Sequence, residues 1–214
     1  MLVCCLQTSV AAWSKRRSAK ASLVPYTADI DPLCYPGTIV LRNLLDLQDQ
    51  NELDEAETAL FLLRTREALP AGKLDATHYQ ALHRQLFQDV YVWAGQFRTI
   101  RIGKGGNWFC YPEYIHAELD RTFREYGDPD EIAVLPTEAF IDRTGHLLAE
   151  INAVHPFREG NGRTQLTFLT LLAANAGYEV GLDYFTPAAT IAAMTDSFGG
   201  NEMPLRGLIS SALG

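Results

Sequence analysis

The chain has 214 residues, 47% of them hydrophobic, and a formal net charge of -8. That length and balance fit one globular domain with a sizeable core and exclude a disordered chain. The first 24 residues hold Lys15, Arg16, Arg17 and Lys20 and no acid, so the remaining 190 carry 14 basic and 26 acidic residues, a balance of -12; a body that acidic repels a phosphate backbone and argues against direct nucleic-acid binding.

Residues 1–24 read as a poorly ordered tail, and 25–214 as the domain. The apolar run Leu2–Trp13 precedes its basic cluster, the reverse of a secretory signal, and is too short to span a bilayer. Cys4, Cys5, Cys34 and Cys110 match no zinc-binding spacing and read as free thiols of a cytoplasmic protein. Residues 25–45, with Pro25, Pro32, Pro36 and Gly37, read as an extended lead-in. From Asp46 the pattern turns helical, with Leu53, Ala56, Ala59, Leu60 and Leu63 as the expected buried face, until Pro70, Ala71 and Gly72 break it. A second helix is predicted from Ala76 to Asp89, with Tyr79, Leu82, Leu86 and Phe87 inward. Its His78 and His83 are five apart, off a shared face, which argues against a paired metal site.

Val90–Arg98 (VYVWAGQFR) reads as a core-packing connector. Thr99–Ile102 and Trp108–Tyr111 are β-prone runs on either side of Gly103-Lys104-Gly105-Gly106-Asn107, a hairpin signal. A lone hairpin must lie on a larger body, and its outer edge can pair with another chain. The glycine run lacks phosphate-loop spacing and a following helix. Helices are then predicted over Glu113–Tyr126 (Tyr114, Leu119 and Phe123 inward) and, after a turn at 127–130, from a Thr137 cap to Ala153. Phe140, Ile141, Leu147, Leu148 and Ile151 form the buried side of the latter, and His146 and Glu150 an expected surface pair. Thr164–Ala176 is apolar almost all round, the mark of a buried central helix ended by Gly177. Two more helices are expected near Pro187–Phe198 and Pro204–Leu213. The fold class is therefore all-α, a helical bundle with one small β-hairpin.

Between the helix expected to end at Ala153 and the apolar helix from Thr164 lies His155-Pro156-Phe157-Arg158-Glu159-Gly160-Asn161-Gly162-Arg163. Pro156 takes His155 out of the helix, and an imidazole there can accept a proton near neutral pH. Phe157 is the expected inward anchor. Glu159 is a hard oxygen ligand suited to Mg2+. Gly160-Asn161-Gly162 forms an anion nest at a helix N-terminus, and Arg163 can fork onto a phosphate. Base, metal ligand, oxyanion cradle and cation together fit phosphoryl or nucleotidyl transfer.

This segment resembles the signature loop of the Fic (filamentation induced by cAMP) family, His-Pro-Phe-x-Asp/Glu-Gly-Asn-Gly-Arg-x-x-Arg. Leu82–Asp89 with Val92–Arg98 is similar to the segment before that family's flap. Asp31–Gly37 with Leu41-Arg42-Asn43 resembles its bacterial toxin branch. The resemblance spans roughly residues 25–210. It implies a Fic-type helical bundle with a hairpin flap, and AMPylation, the transfer of AMP from ATP to a Ser, Thr or Tyr hydroxyl of a target protein. On the same basis His155 is the base, Glu159 holds Mg2+, the backbone of Gly160, Asn161 and Gly162 cradles the α-phosphate and Arg163 holds the outer phosphates. The flap residues Arg101, Ile102, Gly103, Lys104, Gly105, Gly106 and Asn107 dock the target, which in the toxin branch is a DNA topoisomerase subunit. The family's second arginine is replaced by Leu166. That change points to two alternatives, a Fic-fold transferase of phosphate, UMP or phosphocholine, and a catalytically weakened binding module. The chain contains no Ser/Thr-x-x-x-Glu-Gly/Asn inhibitory motif, so the resemblance implies a small helical antitoxin acting in trans. No membrane partner is expected.

Overall fold

The computed structural model describes residues 31–214; the expected tail, the first part of the lead-in, Cys4 and Cys5 lie outside the described residues. Eight α-helices follow in chain order among them. They are α1 (Gln50–Arg64), α2 (Ala76–Phe87), α3 (Ile115–Tyr126), α4 (Pro129–Ala133), α5 (Thr137–Val154), α6 (Asn161–Asn175), α7 (Pro187–Phe198) and α8 (Met203–Ala212). A two-stranded antiparallel hairpin, β1 (Gly103–Lys104) and β2 (Asn107–Trp108), stands between α2 and α3.

The bundle is built around α6. Its Leu166, Phe168, Leu169, Leu172 and Ala173 are all buried. Its three buried threonines return their hydroxyls to their own helix, Thr164 to Gly160 O, Thr167 to Arg163 O and Thr170 to Thr167 O. Local satisfaction of these hydroxyls is what lets a threonine-rich helix sit inside a core. Helices α2, α4 and α5 pack on α6, and α5 in turn carries α3, α7 and α8. An aromatic wall joins them: the Tyr79 ring meets Phe168 edge-on at 5.3 Å and stacks on Phe157 at 5.6 Å. The centre of the molecule is thus the α5–α6 pair, joined by the six residues His155–Gly160.

Several local expectations change. α1 starts at Gln50, not Asp46, because the Asn43 side chain accepts from Leu45 N–H and Leu47 N–H and holds 43–47 in a turn; Asp49 then caps the helix. Its buried face is Leu53, Glu57 and Phe61, while Ala59 and Leu63 face solvent. A charged partner inside the core, described below, draws Glu57 inward. α2 closes at Phe87, two residues short of the expected Asp89. Tyr114 is exposed and Ile115 takes its inward place. Asp128 caps a short helix where a bare turn was expected. Thr137 does not cap α5; its hydroxyl bonds that of Tyr178, and Pro136 holds the cap position. His146 pairs with Glu202 and Glu150 with Arg121, not with each other. The expected inward faces of α2 and α5 are buried as predicted.

The hairpin strands lie inside the glycine run, with Gly103 opposite Trp108 and Lys104 opposite Asn107. Gly105 and Gly106 both have positive φ, 59° and 86°, as the favoured two-residue hairpin turn requires. The β-prone flanks do not extend the ladder by more than one bond, Phe109 N–H to Ile102 O. Their main chain is drawn onto the end of α5, where Cys110 N–H donates to Ala153 O. No helix among the described residues is long and apolar enough to cross a membrane.

Candidate active site

α5 ends because Pro156 cannot continue it. His155 takes the left-handed conformation, φ 49°, and its N–H closes the helix on Ile151 O. The residue is 7% exposed. Phe109 of the flap stacks on it, with centroids 3.9 Å apart and planes 11° apart. Nδ1 lies 3.3 Å from Asn152 O; a proton on Nδ1 satisfies that carbonyl and leaves Nε2 with the lone pair. Burial pushes the ring pKa down to about 3, with Glu159 opposing and Arg98 and Lys104 assisting. The imidazole is therefore neutral at physiological pH, the state a general base needs.

The loop is clipped shut by one side chain. Asn161 Oδ1 accepts from Phe157 N–H at 2.9 Å and Asn161 Nδ2 donates to Phe157 O at 2.8 Å. Phe157 is fully buried. His83 props the loop from beneath: its ring stacks on Phe157 at 3.7 Å, Nε2–H donates to Glu159 O and Nδ1 accepts from Gly95 N–H. His78, by contrast, ties off Pro70 O and Leu74 N–H, so the two histidines serve separate structural duties. Gly160 has φ 81°, and a Cβ there would lie 2.5 Å from the Phe87 ring. A Cβ on Gly162 would meet nothing within 4 Å. The concave side of the loop is therefore open at Gly162, and the first-turn N–H groups of α6 point along the axis toward it.

The charged groups are arranged differently from the expected set. Glu159 Oε1 folds back to accept from Gly160 N–H at 2.9 Å, so that amide already holds a carboxylate. Arg163 is not turned to the concavity. It is 3% exposed, donates to Glu57, and lies over the Phe87 ring at 4.6 Å. Burial lowers its pKa, but Glu57 and Glu159 more than offset this and keep it cationic. Tyr91 donates to the same Glu57, completing a buried triad. Arg163 thus braces the loop from behind instead of presenting a charge to outer phosphates. Leu166 is core, 1% exposed. Arg158 is held by Asp31 at 2.6 Å, which fastens the lead-in to the loop. In the flap, Ile102 is fully buried and Gly103 is closed against Trp108, so Lys104–Asn107 form the accessible tip. Arg101 lies over Tyr111 at 3.9 Å.

His83 is likewise driven down to about 3, by burial first. Both rings stay neutral when folded and take up a proton on unfolding below about pH 6.5. A depressed histidine pKa means stability present at neutral pH and lost as pH falls from 6.5 toward 3. Urea denaturation between pH 6.5 and 5, above most carboxylate titration, should show stability falling by about 0.7 kcal/mol per pH unit for each histidine at pH 6.5, steepening toward about 1.4 kcal/mol per pH unit at pH 5. His155→Phe should remove one of these two contributions; an unchanged slope refutes the assignment.

The architecture is a helical bundle whose two central helices meet in a glycine-rich loop beside a small hairpin. The Fic/DOC family model matches residues 73–173. Residues of this chain align at 58% identity with the probable protein adenylyltransferase y4lH of Sinorhizobium fredii, covering 86% of this chain and 96% of that protein. The probable protein adenylyltransferase Fic of Escherichia coli is 36% identical over 70% of this chain and 76% of its own length. The chain is also 34% identical to the protein adenylyltransferase VbhT of Bartonella schoenbuchensis, of which it spans 39%. The crystal structure of the BepC protein of Bartonella tribocorum with bound AMPPNP superposes with a TM-score of 0.76 at 22% identity, over 85% of this chain and 96% of that one. The chain belongs to the Fic/DOC family.

The residues quoted for the resemblance thus lead to the right family. The sequence alone assigns no role to Glu57, His83, Arg98, Phe109 or Asp31, although Asp31, His83 and Arg98 lie within the segments quoted for the resemblance.

Proposed function

We propose that this chain is a protein adenylyltransferase that moves AMP from ATP to a Ser, Thr or Tyr hydroxyl of a target protein. The observation that carries the reading is the placing of His155, at the end of α5, next to the glycine-bearing first turn of α6 across one short loop. The hydroxyl gives its proton to His155 Nε2, its oxygen bonds to the α-phosphorus, and the α–β bridging oxygen leaves as pyrophosphate. Gly162 and the first turn of α6 hold the α-phosphate oxygens. Among the described residues no three His, Cys, Asp or Glu side chains cluster as a metal cage. Glu159 would be the carboxylate that holds a divalent ion, with water and nucleotide phosphates as its other ligands, the mode Mg2+ favours. When bound it would neutralise phosphate charge. The flap tip, Lys104–Asn107, docks the target segment by strand pairing.

Purified protein with Mg2+ and bacterial lysate should transfer label from the α-position of ATP to a protein band, and none from the γ-position. Label from the γ-position, or from UTP alone, sinks the adenylyl reading. The second reading, transfer of another group, is favoured by one observation: Leu166 is core, so that position supplies no cation to a terminal phosphate.

The same reading makes the chain the toxin of a toxin–antitoxin pair, acting in the cytoplasm on a topoisomerase subunit and restrained by a small helical protein in trans. Its support is the resemblance of Asp31–Gly37 and Leu41-Arg42-Asn43 to the toxin branch.

A further inference from the structure

Arg98 is 3% exposed and carries a full charge into the core. A buried guanidinium needs partners for its donors, and four of its bonds go to main-chain carbonyls. Nε donates to His155 O at 2.8 Å, Nη1 to Ile100 O at 2.7 Å, and Nη2 to Cys110 O at 2.5 Å and Val154 O at 3.1 Å. Its own N–H donates to Pro156 O at 2.9 Å. The acceptors belong to three segments: the end of α5, the rising stem of the flap and its descending stem. Helix ends leave carbonyls without intrahelical partners and carry negative partial charge, so a cation here suits α5 as well as the loop.

We infer that Arg98 is a positioning residue for the transfer reaction, fixing the backbone of His155 and both stems of the flap to one another. The Phe109–His155 stack and the Cys110–Ala153 bond sit on either side of this clamp. The base and the target-docking hairpin therefore share one register, set by a side chain that touches neither substrate. Lysine cannot replace it, because one ammonium does not span the planar fork that reaches three segments. The inference rests on the adenylyltransferase reading for its kinetic consequence, though not for its geometry.

Two measurements test it. In the wild type, native-state hydrogen exchange should show the amides of Phe109, Cys110 and His155 opening as one unit. Flap amides that exchange independently of His155 overturn the inference, whatever the activity of the protein. In Arg98→Lys, the rate of α-label transfer from ATP is read against ATP concentration and against lysate concentration. The maximal rate should fall at least about 10-fold and half-saturating lysate should rise at least about 5-fold, while half-saturating ATP moves less than about 3-fold. A variant equal to wild type per folded molecule overturns it. Wild-type protein that transfers no α-label refutes the adenylyltransferase reading instead, and leaves the exchange experiment to decide on Arg98.

Discussion

His155→Ala is expected to lower the rate of α-label transfer by about 10²- to 10⁴-fold, the usual contribution of a positioned base, with ATP affinity nearly unchanged. The separation follows from the geometry. The imidazole is held by Asn152 O and the Phe109 ring, whereas the phosphate cradle belongs to the first turn of α6. Alanine keeps the same backbone demand at a left-handed residue and removes only the ring. Isothermal titration with ATP and Mg2+ would report the affinity. Transfer that persists at a tenth of the wild-type rate places the base elsewhere. A large loss of ATP binding instead makes the ring part of the nucleotide site.

The second large effect divides two neighbouring glycines. Gly162→Ala should reduce transfer by about 10²-fold, comparable to losing an oxyanion donor, because the new methyl enters the open concavity where phosphate oxygens are to sit. Its stability should hold or rise slightly, since alanine is the better helix former within the first turn of α6. Gly160→Ala should do the opposite to the fold. The left-handed φ costs about 1–2 kcal/mol and the approach to the Phe87 ring about 1–3 kcal/mol more. Urea titration and label transfer on the two variants decide the matter. Full activity in Gly162→Ala shows that phosphate does not approach that face.

Much of this was legible beforehand for one physical reason: the informative residues were close in sequence. Helix α7 falls where its proline placed it, and His155, Phe157, Glu159 and the Gly160–Gly162 turn occupy one contiguous stretch. The parts that were not legible are long-range pairings that no periodicity encodes. Arg163 reads as a cation for phosphate until Glu57, 106 residues away, is seen to hold it. Asp31 reaches Arg158 across 127 residues, His83 reaches Glu159 across 76, and Arg98 reaches His155 across 57. The misplaced face of α1 has the same origin, because its apolar spacing gave no sign that a glutamate would be buried. Hairpin length was misjudged because β-propensity says nothing of carbonyls taken by an arginine.

The two ion pairs that grip the loop, Glu57 with Arg163 and Asp31 with Arg158, have a thermal consequence. Charged groups lose hydration free energy on warming, so the desolvation that opposes a buried pair shrinks as temperature rises. Apolar contacts gain little over the same range. The loop is thus tied to α1 and to the lead-in by bonds whose opposing desolvation shrinks on warming, and it should keep its shape until the bundle itself gives way.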